Sequence, residues 1–197
     1  DLPLKIYGLG PMFRRERPQK GRFRQFNQIN FEIFGSDDYI ADVTLIFLAN
    51  QILSKLLPNN KIFLNINSLG TKGNMNDYKQ SLKSFFNDKK SKLSDDSQNK
   101  IFSNPLRILD SKKEQDIEVC IDAPLIYEFF SNESKIHYER IKSSLQFLNI
   151  NFKENPKLVR GLDYYCSTVF EFKTEDLGTQ DTLLGGGRYD GLINSLG

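Results

Sequence analysis

The stretch "FNQINFEIF", residues 26–34, alternates without a slip, and this constrains the fold more than any other feature of the chain. In an extended strand Ile29, Phe31 and Ile33 fall on one face, and Gln28, Asn30 and Glu32 on the other. Gln28 and Glu32 then share a face about 13 Å apart, with Asn30 between them. A second strand-like run, "LKIYGLGPMF" (4–13), lies upstream, with Gly8, Gly10 and Pro11 marking an edge or a bulge. Joined by the loop between them, the two runs predict a long antiparallel hairpin.

That loop, "RRERPQKGRFR" (14–24), holds six cations and one acid, a net +5. The whole chain carries only +2, so the remaining residues sum to −3. A basic loop on a mildly acidic body points to one local anionic partner and not to a general polyanion coat. The competing reading is a solvated loop of ordinary charges.

The rest of the chain reads as α+β. A helix is expected after Gly35, capped by Ser36 or Asp37, with Val43, Ile46, Phe47, Ile52, Leu53 and Leu56 on its buried side. "KIFLNIN" (61–67) reads as a strand. From 71 to 150 Lys, Asp, Ser and Asn dominate, and apolar residues recur at helical spacing: Met75, Tyr78, Leu82, Phe85 and Phe86, then Ile136, Ile141, Leu145 and Leu148. This predicts a small helical insertion with its own core. Strand character returns in "KLVRGLDYYCSTVFEF", with a turn expected at Cys166–Ser167, and "TLLGGGRYDGL" (182–192) gives a strand, a triple glycine and a helix start. The expected architecture is an antiparallel β-sheet backed by helices, with a helical insertion.

Composition narrows the chemistry. Apolar residues make up 39% and aromatics 12%, which suits a packed core. The two cysteines, Cys120 and Cys166, lie far apart and form no CxxC, which fits a reducing, cytoplasmic setting and no structural metal. The longest apolar runs, such as "LIFLA", are about five residues, well short of a membrane span. The chain starts at Asp1 and stops at "YDGLINSLG", so an internal piece of a longer protein is expected. The single histidine, His137, has no nucleophile or carboxylate constellation around it in the sequence and reads as a surface or half-buried residue.

Two arrangements are chemically suggestive. Arg160 sits in an apolar, aromatic run, where a guanidinium needs a partner. That partner is either a carboxylate, Asp163, Glu171 or Asp190, or an anionic ligand clamped by the planar fork. "GGGRYDG" permits close backbone approach, but it is neither GxGxxG nor a GxxxxGK[ST] loop. A nucleotide site here is expected on a sheet with arginines and not at a helix N-terminus.

Taken together, these stretches resemble a known family. "GPMFRRERPQKGRFRQFNQINFEIFG" resembles motif 2 of class II aminoacyl-tRNA synthetases, in the form the bacterial histidyl-tRNA synthetase family carries. "LVRGLDYYCSTVFEF" and "GGGRYDGL" resemble the two histidine-specific motifs of that family, and "NPLRILDSKKEQ" with "DAPLI" fits its insertion. The resemblance runs end to end, and the three motifs in this order are specific.

It implies activation of L-histidine by ATP to histidyl-adenylate, then transfer to histidine tRNA. By motif position Arg14 would hold the α-phosphate and the substrate carboxylate, Glu16 the adenine amino group, and Phe26 the adenine ring. Gln28 would meet the α-amino or carboxylate group of histidine, and Glu32 its imidazole. Arg160 would face the α-phosphate from the opposite side. Tyr164 and Tyr165 would line the imidazole pocket, closed by the backbone of Gly185 to Gly187 and by Tyr189. Arg17, Lys20, Arg22 and Arg24 would face the tRNA. Mg²⁺ would accompany ATP, and Cys166 has no implied catalytic role. The family is homodimeric, largely through motif 1, which this chain lacks; motif 3 and the anticodon-binding domain also lie outside it. The implied layout is catalytic core at 1–70 and 151–197, with a helical insertion at 71–150, and a chain that is not competent alone. The alternative is a non-catalytic regulatory subunit of ATP phosphoribosyltransferase that resembles the same domain. The intact motif 2 loop argues against it.

Overall fold

In the computed structural model, which describes residues 2–15, 17–18, 23–160, 164–177 and 181–193, the alternating stretch is a strand. Strand β1 (Leu4–Phe13) pairs antiparallel with β2 (Gln25–Phe34) in an unbroken register from Leu4↔Phe34 to Phe13↔Gln25. Gly8, Gly10 and Pro11 therefore cause no bulge. They sit opposite Asn30, Gln28 and Asn27 in regular ladder positions. A further backbone bond, from the Arg14 N–H to the Arg24 carbonyl at 2.9 Å, carries the ladder one step into the basic loop.

Helix α1 (Tyr39–Leu56) follows, and its cap is Asp38, whose side chain accepts the Ile40 N–H at 2.9 Å. Ser36 and Asp37 are thus not the cap. Three cap-competent residues stand in a row, and the last of them is the one whose carboxylate reaches the N2 amide. Helix α1 buries one stripe, Val43, Ile46, Ala49 and Leu53, together with Asp42, and lies against β2. It is the one helix among the described residues long and apolar enough to cross a bilayer. Its burial pattern, with Asn50, Gln51, Ser54 and Lys55 in the second half, is that of a core helix with one apolar face.

Strand β3 (Ile62–Ser68) leads to a long helical segment: α2 (Lys72–Asp88), short helices α3 (Asp95–Gln98), α4 (Leu106–Leu109) and α5 (Glu114–Val119), and α6 (Asn132–Phe147). Met75, Tyr78, Leu82 and Phe86 of α2 are buried at helical spacing, as expected. In α6 the buried residues are Ser134, Tyr138, Ile141 and Leu145, whereas Ile136 is 54% exposed and His137 half-buried. Asn149 ends α6 in the left-handed region (φ 54°), with the Ile150 N–H reaching the Leu145 carbonyl and the Asn149 N–H that of Gln146.

Three strands remain: β4 (Phe152–Glu154), β5 (Cys166–Thr174) and β6 (Thr182–Arg188). With β3 they form a four-stranded sheet in the order β4-β3-β5-β6. The class is α+β. Two local expectations change. Residues 158–160 are not strand, and Cys166–Ser167 is the start of β5 and not a turn between two strands. The triple glycine lies inside β6 instead of beyond it.

The chain divides into two compact units. One comprises Asp1–Leu64, Ile141–Phe152 and Glu171–Gly185; the other comprises Asn65–Arg140, Lys153–Phe170 and Gly186–Gly197. Ile46, Leu64, Ile141, Leu145 and Phe172 are at the centre of the first, and Ile66, Leu82, Phe86, Ile101, Ile108, Ile126 and Val169 at the centre of the second.

Candidate functional site

In the first unit the hairpin gathers Arg14, Phe26, Gln28 and Glu32. Arg14 is anchored three ways. Its backbone N–H closes the ladder, its Nε donates to the Phe23 carbonyl at 3.0 Å, and its guanidinium lies 4.2 Å from the centre of the Phe26 ring. A cation over an aromatic face contributes roughly 0.5–1 kcal/mol at such a site, so the guanidinium is held at the root of the loop. Gln28 donates from Nε2 to Asn30 Oδ1 along the same face. The cross-strand partners of Gln28 and Asn30 are Gly10 and Gly8, and a side chain added at either would meet nothing within 4 Å. The polar face of β2 is thus bordered by bare backbone on β1, an open floor between Phe26 and Glu32. Arg15, Arg17 and Arg24 are exposed. Glu16, Lys20 and Arg22 lie outside the described residues.

In the second unit the aromatic residues form a cluster. The Tyr164 and Tyr165 rings are 4.7 Å apart, and Tyr189 meets them edge-on at 6.0 and 6.4 Å. The Arg160 guanidinium stands 5.5 Å from the centre of the Tyr165 ring. Tyr164 is 37% exposed and Tyr165 half-buried, so the cluster has a solvent-facing side. Of the carboxylates considered as partners of Arg160, Glu171 lies 3.7 Å from Lys173 and Asp190 lies 3.2 Å from Arg188. Asp163 lies outside the described residues.

Two of the β6 glycines lie close against other parts of the protein. A Cβ on Gly186 would fall 2.6 Å from the Phe170 ring. On Gly187 it would fall 2.7 Å from the Thr168 carbonyl oxygen and 2.9 Å from the Tyr165 ring. At these two positions the approaching groups are the protein's own, the rings of Phe170 and Tyr165 and the Thr168 carbonyl.

Cys166 sits beside this cluster, its Sγ 3.7 Å from Asp190 Oδ2. Burial pushes its thiol up to about 11, which favours the protonated form near neutrality. Among the described residues no group of three or more His, Cys, Asp and Glu is placed to hold a metal ion.

Two features escaped the sequence. Arg188 is buried and paired with Asp190, although it stands where the sequence led from the triple glycine to a helix start. Ser167 adopts φ 45°, in the left-handed region, which for a residue with a Cβ costs about 1 kcal/mol. Serine carries no sequence signal for that conformation.

Known proteins give the arrangement a context. The profile of the tRNA synthetase class II core domain (G, H, P, S and T) matches residues 1–184. The histidine–tRNA ligase of Wolbachia pipientis subsp. Culex pipiens (strain wPip) is 50% identical over 197 residues, 100% of this chain and 48% of the relative. That of Ehrlichia ruminantium (strain Gardel) is 49% identical over 196 residues, 100% of this chain and 47% of the relative. The chain therefore spans about half the length of the curated relatives it matches. Among solved structures, apo S. aureus histidyl-tRNA synthetase superposes with a TM-score of 0.75 at 33% identity, covering 100% of this chain and 46% of that one. A Bacillus halodurans ATP phosphoribosyltransferase regulatory subunit/histidyl-tRNA synthetase superposes with a TM-score of 0.63 at 19% identity, covering 98% of this chain and 53% of that one, which is a likeness of fold.

Proposed function

This chain belongs to the class II tRNA synthetase core family, and from that membership we propose that the full-length protein joins L-histidine to histidine tRNA at the expense of ATP. The observation that carries the reading is the 50% identity to a histidine–tRNA ligase along the entire chain. On this reading residues 1–70 and 151–197 belong to the catalytic core and 71–150 to a helical insertion. The protein works in the cytoplasm as a homodimer.

The first step is attack of a histidine carboxylate oxygen on the α-phosphorus of ATP. The new O–P bond forms as the bond to the β-phosphate oxygen breaks, and pyrophosphate leaves with that electron pair. In the second step a terminal ribose hydroxyl of the tRNA attacks the histidyl carbonyl, its proton is lost, and AMP departs. Negative charge builds on the α-phosphoryl oxygens in the first step, so fixed guanidinium groups accelerate it by alignment and electrostatic stabilisation, with no protein nucleophile.

Arg14 takes the α-phosphate and the substrate carboxylate; its three anchors suit a group that must not reorganise during reaction. Arg160 takes the α-phosphate. Phe26 stacks on adenine through the face that Arg14 leaves uncovered, and Glu16 accepts from the adenine amino group. Gln28 meets the amino or carboxylate group of histidine, on the floor that Gly8 and Gly10 keep open. Glu32 accepts the imidazole N–H, and a hydroxyl from Tyr164, Tyr165 or Tyr189 satisfies the second nitrogen. An amino acid without those polar atoms would leave buried groups unpaired and be rejected by orders of magnitude. Mg²⁺ arrives with ATP, held mainly by phosphates and water. The phosphate-facing side chains in this assignment are cations, which supply charge and not metal ligands.

Histidine-dependent ATP–pyrophosphate exchange by the full-length protein tests the proposal. Arg14→Ala or Arg160→Ala is expected to lower exchange by roughly a hundredfold or more. A folded wild type that exchanges no label in the presence of histidine would overturn it.

A further inference from the structure

The corner between β3 and α2 is tied to the start of β5 more closely than sheet pairing requires. The Leu69 N–H donates to the Ser167 carbonyl at 2.6 Å, and the Ser167 N–H donates to the Gly70 carbonyl at 2.8 Å. Two residues thus share the hydrogen bonds of one, the count that defines a β-bulge, a device that re-aims neighbouring side chains. The corner itself has no slack. The Gly70 N–H donates to Ser68 Oγ, and Gly70 is left-handed (φ 63°) with Asn74 and Phe130 filling the space of a Cβ.

Asn74 binds the corner to the helices. Its Oδ1 accepts from the Thr71 N–H at 3.0 Å and from the Ser134 hydroxyl at 2.9 Å, and its Nδ2 donates to the Phe129 carbonyl at 2.8 Å. One side chain therefore joins the start of α2, the turn at Ile126–Phe129 and the first turn of α6. On the other side of the corner, Ser167 is strained, and left-handed non-glycine residues persist only where their surroundings over-determine them. Two residues before it stands Tyr165, whose ring also rests on Gly187 and on Tyr164.

We propose that Ser167 and Asn74 are positioning residues: the Asn74–Gly70–Ser167 relay fixes Tyr165 in the aromatic cluster and couples that cluster to the helical segment 72–140. The proposal rests on reading Tyr164, Tyr165 and Tyr189 as the amino-acid pocket. It adds a mechanical link from the helices to the pocket, through residues that touch no substrate.

The test uses the full-length protein with Ser167→Gly and Asn74→Ala. Glycine adopts φ 45° freely, so Ser167→Gly removes strain and should melt within about 2 °C of wild type or above it. Freed of the constraint, Tyr165 should wander, and KM for histidine in pyrophosphate exchange should rise roughly tenfold while KM for ATP changes less than about twofold. A residue serving stability alone would move the melting temperature and not this ratio. Ser167→Gly with an unchanged KM for histidine, or with an equal rise in KM for ATP, overturns the proposal. Amide hydrogen exchange supplies a readout independent of catalysis: Asn74→Ala should speed exchange of the Ser167 N–H by roughly tenfold or more. An unchanged rate overturns the coupling. If the wild type shows no histidine-dependent exchange, the pocket reading falls, and the amide rate alone decides whether the relay exists.

Discussion

Asp116 is 0% exposed, yet four donors converge on its carboxylate. The Ser94 N–H and hydroxyl are each at 2.8 Å, the Ser97 hydroxyl at 2.6 Å and the Ser111 hydroxyl at 2.7 Å. Burial pushes the carboxyl up, but the bonds from Ser97, Ser111 and Ser94 outweigh it and bring it down to about 2 from an ordinary 3.8. A carboxyl lowered on folding stabilises the protein above its unfolded value and loses that contribution as pH falls through the folded one. The gain here is about 2 kcal/mol, present above pH about 4 and gone below about 2. Asp116→Asn should lower stability at pH 7 by about 2 kcal/mol, because its amide hydrogens would face serine donors. The deficit should shrink as pH drops from 4 to 2. Urea unfolding at several pH values checks this; a deficit constant over that range would mean the group is not ionised in its cage.

The hairpin was legible as an element because one face of β2 is polar and period-2 alternation survives translation into structure. The run "LVRGLDYY" was not. Its apolar and aromatic density suits a strand, but periodicity cannot separate a short strand from a ring cluster, and Tyr164 and Tyr165 pack against each other and Tyr189. Strand β4, with three residues, is too short to show a period. In the candidate site the residue types were readable from the motifs. The tie between Ser167 and the corner at Gly70 was not, since it consists of backbone hydrogen bonds. The β6 glycines give this scale its prediction. Gly187→Ala would set a Cβ against the Thr168 carbonyl, which moves only if a strand moves, and Gly186→Ala would press on the buried Phe170 ring. Both should destabilise by roughly 1–3 kcal/mol, Gly187→Ala more, while Gly191→Ala, with open space around it, should stay within about 0.5 kcal/mol. Thermal melts of the three variants rank them; equal losses at Gly187 and Gly191 would show that the close contacts at Gly187 do not set the cost.

For the molecule as a whole the question is where its positive charge acts. The chain carries +2, and the loop 14–24 alone carries +5, so the attraction for a polyanion is local. Arg14 is withdrawn from that role by its bonds to Phe23 and its place over Phe26, whereas Arg15 and Arg17 are exposed at the hairpin's end. If the loop serves the tRNA, its cations should matter for transfer and not for adenylate formation. In the full-length protein the combined change Arg17→Ala, Lys20→Ala and Arg22→Ala should therefore reduce tRNA charging well beyond its effect on pyrophosphate exchange. Each phosphate contact contributes close to one unit to the slope of log affinity against log salt. Losing three contacts should flatten that slope for tRNA binding by roughly two to three. Equal losses in both steps, or an unchanged salt slope, would assign these charges to solvated surface and leave Arg14 and Glu16 as the loop's chemical contribution.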